Sequence, residues 1–161
     1  MPRINGNNTR STNRVSNQPK KTTSKAKKFD HTNFNAALKH SADTGKPMVI
    51  KVGASWCGPC RAMNATTFKD PNVQAKLDKN ATFVNVEVDR RGDSATQRQA
   101  ADKISKALGI RAYPTVLMAT VKKQGDKLVP SIISKGNMMD AQGFQRFLES
   151  GLNKVDQLKN N

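Results

Sequence analysis

Cysteine is scarce in this chain: its 161 residues include only two, Cys57 and Cys60. Two cysteines cannot build the framework of several disulfides that stabilises many small secreted proteins. Because the two are only three positions apart, a bond between them would close a very small loop and add little stability through chain entropy. We therefore expect the pair to serve redox exchange, in which a disulfide forms and opens again.

Zinc binding is the alternative for the same two thiols. A structural zinc site needs four ligands, which usually come as two closely spaced pairs. The remaining nitrogen donors, His31 and His40, lie nine positions apart and do not form such a pair. We therefore expect no metal.

Long apolar runs are also missing. No stretch of about 18 apolar residues occurs, so no membrane-spanning helix is predicted. No apolar segment follows the basic N-terminal residues, as it would in a secretory signal peptide. A cytoplasmic location is the simplest expectation. The alternative is an organelle, reached through a cleavable N-terminal transit segment.

Acidic residues are absent from residues 1–28, which contain eight Lys or Arg and supply half of the formal net charge of +16. This segment has too few apolar side chains to bury a core. We therefore predict a disordered basic tail over 1–28 and a folded domain over 29–161. The tail could bind a polyanion or an acidic partner, or it could be a mere linker.

Two thiols stand at a predicted strand-to-helix turn. The apolar run 48–52 indicates a buried strand, and the residues after Cys60 favour a helix that tolerates Pro59 in its first turn. Cys57 would then lie at the helix N-terminus, where free N–H groups and the helix dipole stabilise a thiolate. We expect Cys57 to be the exposed nucleophile and Cys60 the more buried resolving thiol.

The remaining pattern predicts alternating helices and strands. Helices are predicted over 32–44, from the cysteine motif to about 67, over a short stretch through 77 that follows a turn at 69–72, over 94–108 and at the C-terminus. Strands are predicted over 48–52, 82–88, 115–121 and 127–134. This order predicts an α/β fold with a central mixed sheet flanked by helices, parallel at its centre and closed by a hairpin.

The pentapeptide from Trp56 to Cys60, Trp-Cys-Gly-Pro-Cys, resembles the active site of the thioredoxin superfamily. Further matches are the segments 109–115, with Tyr-Pro-Thr, 134–136, with Ser-Lys-Gly, and 85–89, which ends in Asp. The segment 67–74 is more similar to the domains of thiol:disulfide interchange proteins. The resemblance covers roughly residues 30–155 and implies a thioredoxin-like fold.

The resemblance also implies a function, the reduction of protein disulfides by a monomer without bound cofactor, which takes its electrons from another protein. It implies a cis peptide bond before Pro114 and a set of substrate-binding residues: Trp56, Gly58, Pro59, Tyr113, Pro114 and Gly136. For Trp56, core packing is the alternative. For the whole protein, the alternatives are disulfide exchange or isomerisation, and a redox-sensing binding module tethered by its basic tail.

Lys51 is where the chain departs from the family. Six residues before the first cysteine, thioredoxins usually carry a buried Asp that handles the proton of the resolving thiol. Lys51 could reach out of the strand with its ammonium in water. Alternatively, the ammonium lies near the cysteines, stabilises a thiolate and raises the reduction potential. The proton acceptor for Cys60 stays open, with Glu87 as a candidate.

Overall fold

The computed structural model describes residues 28–161, so the tail predicted over 1–28 lies outside the described residues except for Lys28. The strands of the described part are β1 Phe29–Asp30, β2 Met48–Ala54, β3 Thr82–Val88, β4 Thr115–Gln124 and β5 Lys127–Gly136. Its helices are α1 Phe34–Thr44, α2 Gly58–Ala65, α3 Pro71–Asn80, α4 Ala95–Ala107 and α5 Ala141–Lys159. Short 3-10 turns at His31–Asn33 and Thr67–Lys69 precede α1 and α3.

The described strands form one sheet in the order β1-β3-β2-β4-β5. β1, β3 and β2 are parallel, whereas β4 and β5 form an antiparallel hairpin beside β2. The predicted mixed sheet with a C-terminal hairpin is confirmed. The sequence pattern does not predict β1, because two residues are too few to show alternation. The strand is defined by the pairing of Phe29 with Val84 in β3.

Helices cover both faces of the sheet. α1 and α4 pack on one face through residues such as Leu38 and Ala101. α2, α3 and α5 pack on the other through Met63, Leu77 and Phe144. Because successive side chains of a strand point to opposite faces, β2 contributes to both cores and is buried along its whole length. No helix in residues 28–161 is long and apolar enough to cross a membrane.

Local sequence sets the ends of the helices that frame the sheet. Asp70 accepts hydrogen bonds from two backbone N–H groups at the start of α3. Ser94 and Gln97 form a reciprocal capping box at the start of α4. Gly45 ends α1 in the left-handed conformation, with φ of 72°. These signals explain why the predicted helix boundaries agree closely with the observed ones.

The fold brings two loops to the same end of the sheet. β2 ends at Ala54, and the chain turns directly into α2. β4 begins at Thr115, which lies opposite Val52 in the antiparallel register. The peptide bond between Tyr113 and Pro114, directly before β4, is cis, as the resemblance predicts. The loop that carries Pro114 therefore lies beside the turn that carries the cysteines.

β5 is an edge strand of the described sheet. Its Pro130 lies opposite Val121, and the register with β4 is irregular after Met118. Lys127 and Lys135 are exposed near its two ends. The edge therefore combines a residue without an N–H, an irregular register and positive charge.

Gly151 is required for the packing of α5 on β4. A Cβ at this position would stand 2.7 Å from Met118 Cε and closer still to its Sδ, in a fully buried region. Gly151→Ala gains about 1 kcal/mol of helix propensity but must displace the Met118 side chain, and overpacking costs about 1–3 kcal/mol. We expect the free energy of unfolding, measured in urea, to fall by about 1 kcal/mol. The second change Met118→Val should recover this loss, whereas a single variant as stable as the wild type would contradict the prediction.

Candidate active site

Cys57 and Cys60 are joined by a disulfide at the N-terminus of α2, with their Cα atoms 5.3 Å apart. Cys57 is the N-cap residue, and its Sγ accepts a hydrogen bond of 3.2 Å from the N–H of Cys60. Pro59 occupies the first turn of the helix, where its missing N–H breaks no helical bond. The predicted strand-to-helix turn is confirmed. The free N–H groups and the helix dipole favour negative charge on Cys57 when the disulfide is open.

The two sulfur-bearing residues differ little in burial. The exposed fraction is 6% for Cys57 and 2% for Cys60. Cys57 is the outer of the two, as predicted, but the expectation that it is exposed is wrong for the disulfide form. Cys57 belongs to a small buried cluster with Ala54 and Cys60, against which Val88 and Tyr113 pack.

Trp56 and Tyr113 form an aromatic wall beside the disulfide. Trp56 is 64% exposed, and its ring meets that of Tyr113 edge to face, with centroids 5.8 Å apart. The indole N–H donates to Asp89 Oδ2 at 3.3 Å, and the Tyr113 hydroxyl lies 3.4 Å from Ser105 Oγ. The exposure of Trp56 excludes core packing as its main role. The ring instead presents a large apolar surface to solvent next to Cys57.

The other predicted substrate-binding residues lie around the same end of the sheet or close to it. Gly58 and Pro59 are exposed in the first turn of α2, and Pro114 is buried at the start of β4. Gly136 ends β5 beside the start of β4. A Cβ at Gly136 would stand 3.0 Å from Met139 Cε, so packing alone gives a reason for glycine at this position.

A cleft of about 560 Å³ borders Trp56, and three arginines, Arg61, Arg90 and Arg91, contribute to its lining. Arg90 is paired at 2.8 Å with both Asp30 and Asp93. Burial would raise the pKa of Asp30, but hydrogen bonds from Thr32 and Arg90 lower it to about 2. Arg90 therefore holds β1 to the loop after β3, while Arg61 and Arg91 are exposed at the rim.

Lys51 lies inside the protein, on the face of β2 that α2 covers. Its exposed fraction is 2%, and its Nζ donates a hydrogen bond of 2.5 Å to Asn64 Oδ1. The interpretation that its ammonium reaches water is wrong. The Phe68 ring, with its centroid 5.8 Å from Nζ, and α2 enclose the end of the side chain.

The absence of a side chain at Gly53 brings Lys51 and Cys60 close to each other. A Cβ at Gly53 would stand 3.1 Å from Cys60 Sγ and 3.5 Å from Lys51 Nζ. The sulfur and the ammonium therefore border the same small space, and their separation is at most the sum of these two distances.

The surroundings of Lys51 set its charge. Burial lowers the pKa of Lys51 to about 8, although attraction to Glu87 raises it. Glu87 lies beside Gly53 in the register of β2 and β3, on the same face as Lys51. Asn85 lies opposite Lys51, and its buried Oδ1 accepts no hydrogen bond from the described residues. Lys51 therefore changes its charge in the pH range in which thiols ionise.

The sequence analysis missed four residues of this site: Gly53, Asn64, Asp89 and Ser105. A signal existed for Asn64, which follows Cys60 by four residues and so lies on the same face of α2. A signal also existed for Gly53, which shares a strand face with Lys51. Asp89 and Ser105 meet the aromatic rings only through tertiary packing, and no local pattern indicates those contacts.

Comparison with known proteins agrees with this geometry. A family model described as thioredoxin-like matches residues 30–120, more than half of the chain. The thioredoxin of Mycoplasmoides gallisepticum is 32% identical over 99 residues, which cover 62% of this chain and 85% of that protein. The thiol:disulfide interchange protein DsbD of Actinobacillus pleuropneumoniae is 29% identical over 110 residues, which cover 68% of this chain but only 17% of DsbD. The solved thioredoxin of Thermus thermophilus shares the fold, with a TM-score of 0.58 at 16% identity over 74% of this chain and 84% of that one.

A mixed sheet with a Cys-Gly-Pro-Cys disulfide at the head of a helix defines the class of thiol-disulfide oxidoreductases, and this protein is one of them. More narrowly, the chain belongs to the thioredoxin-like family.

Lys51→Met should make the oxidised protein more stable at neutral pH. The pKa of Lys51 is about 8 in the folded protein and near 10.5 in the unfolded chain, so below pH 8 the protein carries the full cost of a buried charge. This cost disappears as the pH rises from 8 to 10.5, because the folded state then holds the neutral amine. We expect Lys51→Met to raise the free energy of unfolding by about 1–2 kcal/mol at pH 7, after subtraction of the lost bond to Asn64.

The gain should shrink toward pH 10.5, which urea denaturation at several pH values can measure. Lys123→Met, at an exposed position of β4, is the matched control and should change neither the stability nor its pH dependence. A variant that is less stable than the wild type at every pH would show that the protein interior stabilises the ammonium.

Proposed function

We propose that this protein reduces disulfide bonds of other proteins, with Cys57 as the nucleophile and Cys60 as the resolving thiol. The observation that carries the proposal is the position of Cys57 Sγ, which caps α2 and accepts the N–H of Cys60. A thiolate is the species that attacks a disulfide, and a helix N-terminus stabilises a thiolate. Cys60 is the more buried partner and lies one turn further along, within bonding distance of Cys57.

The proposed reaction transfers two electrons. The Cys57 thiolate attacks one sulfur of the partner disulfide, forms a mixed disulfide and expels the first partner sulfur as a thiolate. Cys60 loses its proton and attacks Cys57 Sγ, which restores the intramolecular disulfide and expels the second partner sulfur. The two partner thiolates take up protons, so the partner is reduced and the Cys57–Cys60 dithiol is oxidised.

The proposed substrate surface surrounds the disulfide. Trp56 supplies the exposed apolar contact, and Gly58 and Pro59 are exposed directly after Cys57. The backbone of Tyr113 and Pro114 would pair with an extended substrate segment, as exposed peptide edges do in other complexes. Gly136, at the end of β5 beside the start of β4, completes the proposed substrate surface.

Regeneration would need a second protein that delivers two electrons, such as a reductase, since the sequence has no glycine-rich loop for a nucleotide cofactor. We place the protein in the cytoplasm as a monomer that contributes to electron transport and cell redox homeostasis. Disulfide exchange or isomerisation is the alternative reaction, and the reduction potential of the Cys57–Cys60 pair distinguishes a reductant from an oxidant.

Cysteine variants test the roles of the two thiols. In a dithiothreitol-driven insulin reduction assay, Cys57→Ser should fall to the rate of dithiothreitol alone, because the attacking sulfur is gone. Cys60→Ser should still attack but should accumulate a covalent mixed disulfide with the partner, visible as a reductant-sensitive band on a gel. The double variant is the control and should form no adduct. An adduct that forms on Cys60 in the Cys57→Ser protein would reverse the assignment.

The basic tail supports a second candidate function, a redox-sensing module held on a polyanion or an acidic partner. Residues 1–28 carry eight basic and no acidic side chains, a charge that binds polyanions in a salt-dependent way. We expect the full chain to be retained on heparin at low salt. A chain of residues 29–161 should elute at a lower salt concentration than the full chain. The insulin reduction rate of residues 29–161 should equal that of the full chain. A large loss of this rate would contradict the division into tail and domain.

A further inference from the structure

The space at Gly53 suggests a partner for the resolving thiol. Lys51 Nζ and Cys60 Sγ both border the position that a Cβ of Gly53 would fill, at 3.5 Å and 3.1 Å. Lys51 is among the largest fully buried side chains of the described residues. A buried charge is costly unless it is paired and hydrogen-bonded. The sulfur that borders this space is that of Cys60, whereas Cys57 Sγ accepts the N–H of Cys60 at the start of α2.

The groups that face Lys51 come from four elements. β3 contributes Glu87, the charged group whose attraction raises the pKa of Lys51, and Asn85 with its unpartnered Oδ1. α2 contributes Cys60, which borders the same space at Gly53, and Asn64, which accepts the hydrogen bond from Nζ. The 3-10 turn after α2 contributes an aromatic ring, Phe68, and β4 contributes an apolar residue, Val116.

This arrangement orients the lysine without neutralising it. Asn64 Oδ1 accepts one of the three N–H bonds that an ammonium can donate, and Glu87 acts on Lys51 by charge but forms no ion pair with it among the described residues. A pKa of about 8 lets the amine and the ammonium both occur near neutral pH. Such a group can both accept and release a proton near neutral pH.

We propose that Lys51 takes the proton of the Cys60 thiol and stays beside the resulting thiolate as its counter-ion. The inference rests on the proposed function, because it concerns the resolving half of that reaction. In the mixed disulfide, the Cys60 S–H bond breaks and its proton forms an N–H bond on the neutral Lys51 amine. The Cys60 thiolate then attacks Cys57 Sγ, and the partner sulfur leaves with the bonding electron pair.

Two neighbours have positioning roles in this step. Asn64 directs the ammonium through its hydrogen bond, and Gly53 keeps the path between nitrogen and sulfur free of a side chain. Glu87 adjusts how readily Lys51 holds its proton. The thiolate and ammonium then titrate as a coupled pair, so their apparent pKa values belong to the pair.

The two thiols can be followed separately with an aromatic disulfide reagent, 5,5′-dithiobis(2-nitrobenzoate). Attack by Cys57 on this reagent releases one coloured thiolate, and the resolving attack by Cys60 releases a second. Stopped-flow absorbance of the fully reduced protein between pH 5 and 9 therefore measures both steps. Cys57→Ser and Cys60→Ser show which thiol produces each phase. The first phase should be lost in Cys57→Ser and kept in Cys60→Ser, which tests the proposed function independently.

We expect Lys51→Met to slow the second phase at least tenfold at pH 7 and to move its pH midpoint upward, while the first phase keeps the wild-type rate. Glu87→Gln should move the midpoint of the second phase downward, because the coupled pair then loses its proton more readily. Lys69→Met removes an exposed lysine close to the same helix and is the control for a general change in charge. It should leave the second phase unchanged.

The normal first phase of Lys51→Met also shows that the variant is folded at the active site. A second phase that keeps the wild-type rate and midpoint in Lys51→Met would overturn the inference and leave the roles of the two cysteines intact. A slow second phase with a raised midpoint in Glu87→Gln, and not in Lys51→Met, would identify Glu87 as the proton acceptor. This result would also overturn the inference.

Discussion

The hydrogen bond from the Cys60 N–H to the Cys57 sulfur is the contact on which the site depends. It places a sulfur at the positive end of α2, and it does so because β2 ends at Ala54 and the helix starts four residues later. The position of the backbone turn determines which sulfur lies at the N-terminus of α2.

The interior beside that sulfur is built around one unusual residue. Lys51 lowers stability because burial disfavours its charged form, yet its position against Asn64 and the space at Gly53 directs that charge toward Cys60. Residues that a stable core would exclude are often retained where chemistry needs them. Replacement of Lys51 by an apolar residue is therefore expected to raise the stability of the protein and to slow the attack by Cys60.

Most of the fold follows from local signals in the sequence. The alternation in 82–88, the capping residue Ser94 and the glycine at 45 mark elements that form as predicted, because each depends on neighbours in the chain. The resemblance around Pro114 predicts the cis bond correctly. The errors lie where contacts between separate elements decide the outcome: β1 pairs with β3, and Lys51 is buried because α2 and Phe68 lie over it.

The β5 edge affects how the protein behaves when crowded with other chains. An unpaired strand edge can recruit a strand from another molecule and begin aggregation. Pro130 cannot donate to such a strand, the irregular register after Met118 twists the edge, and exposed lysines repel a second copy of the same edge. The outer border of the described sheet thus discourages other chains from adding a strand to it.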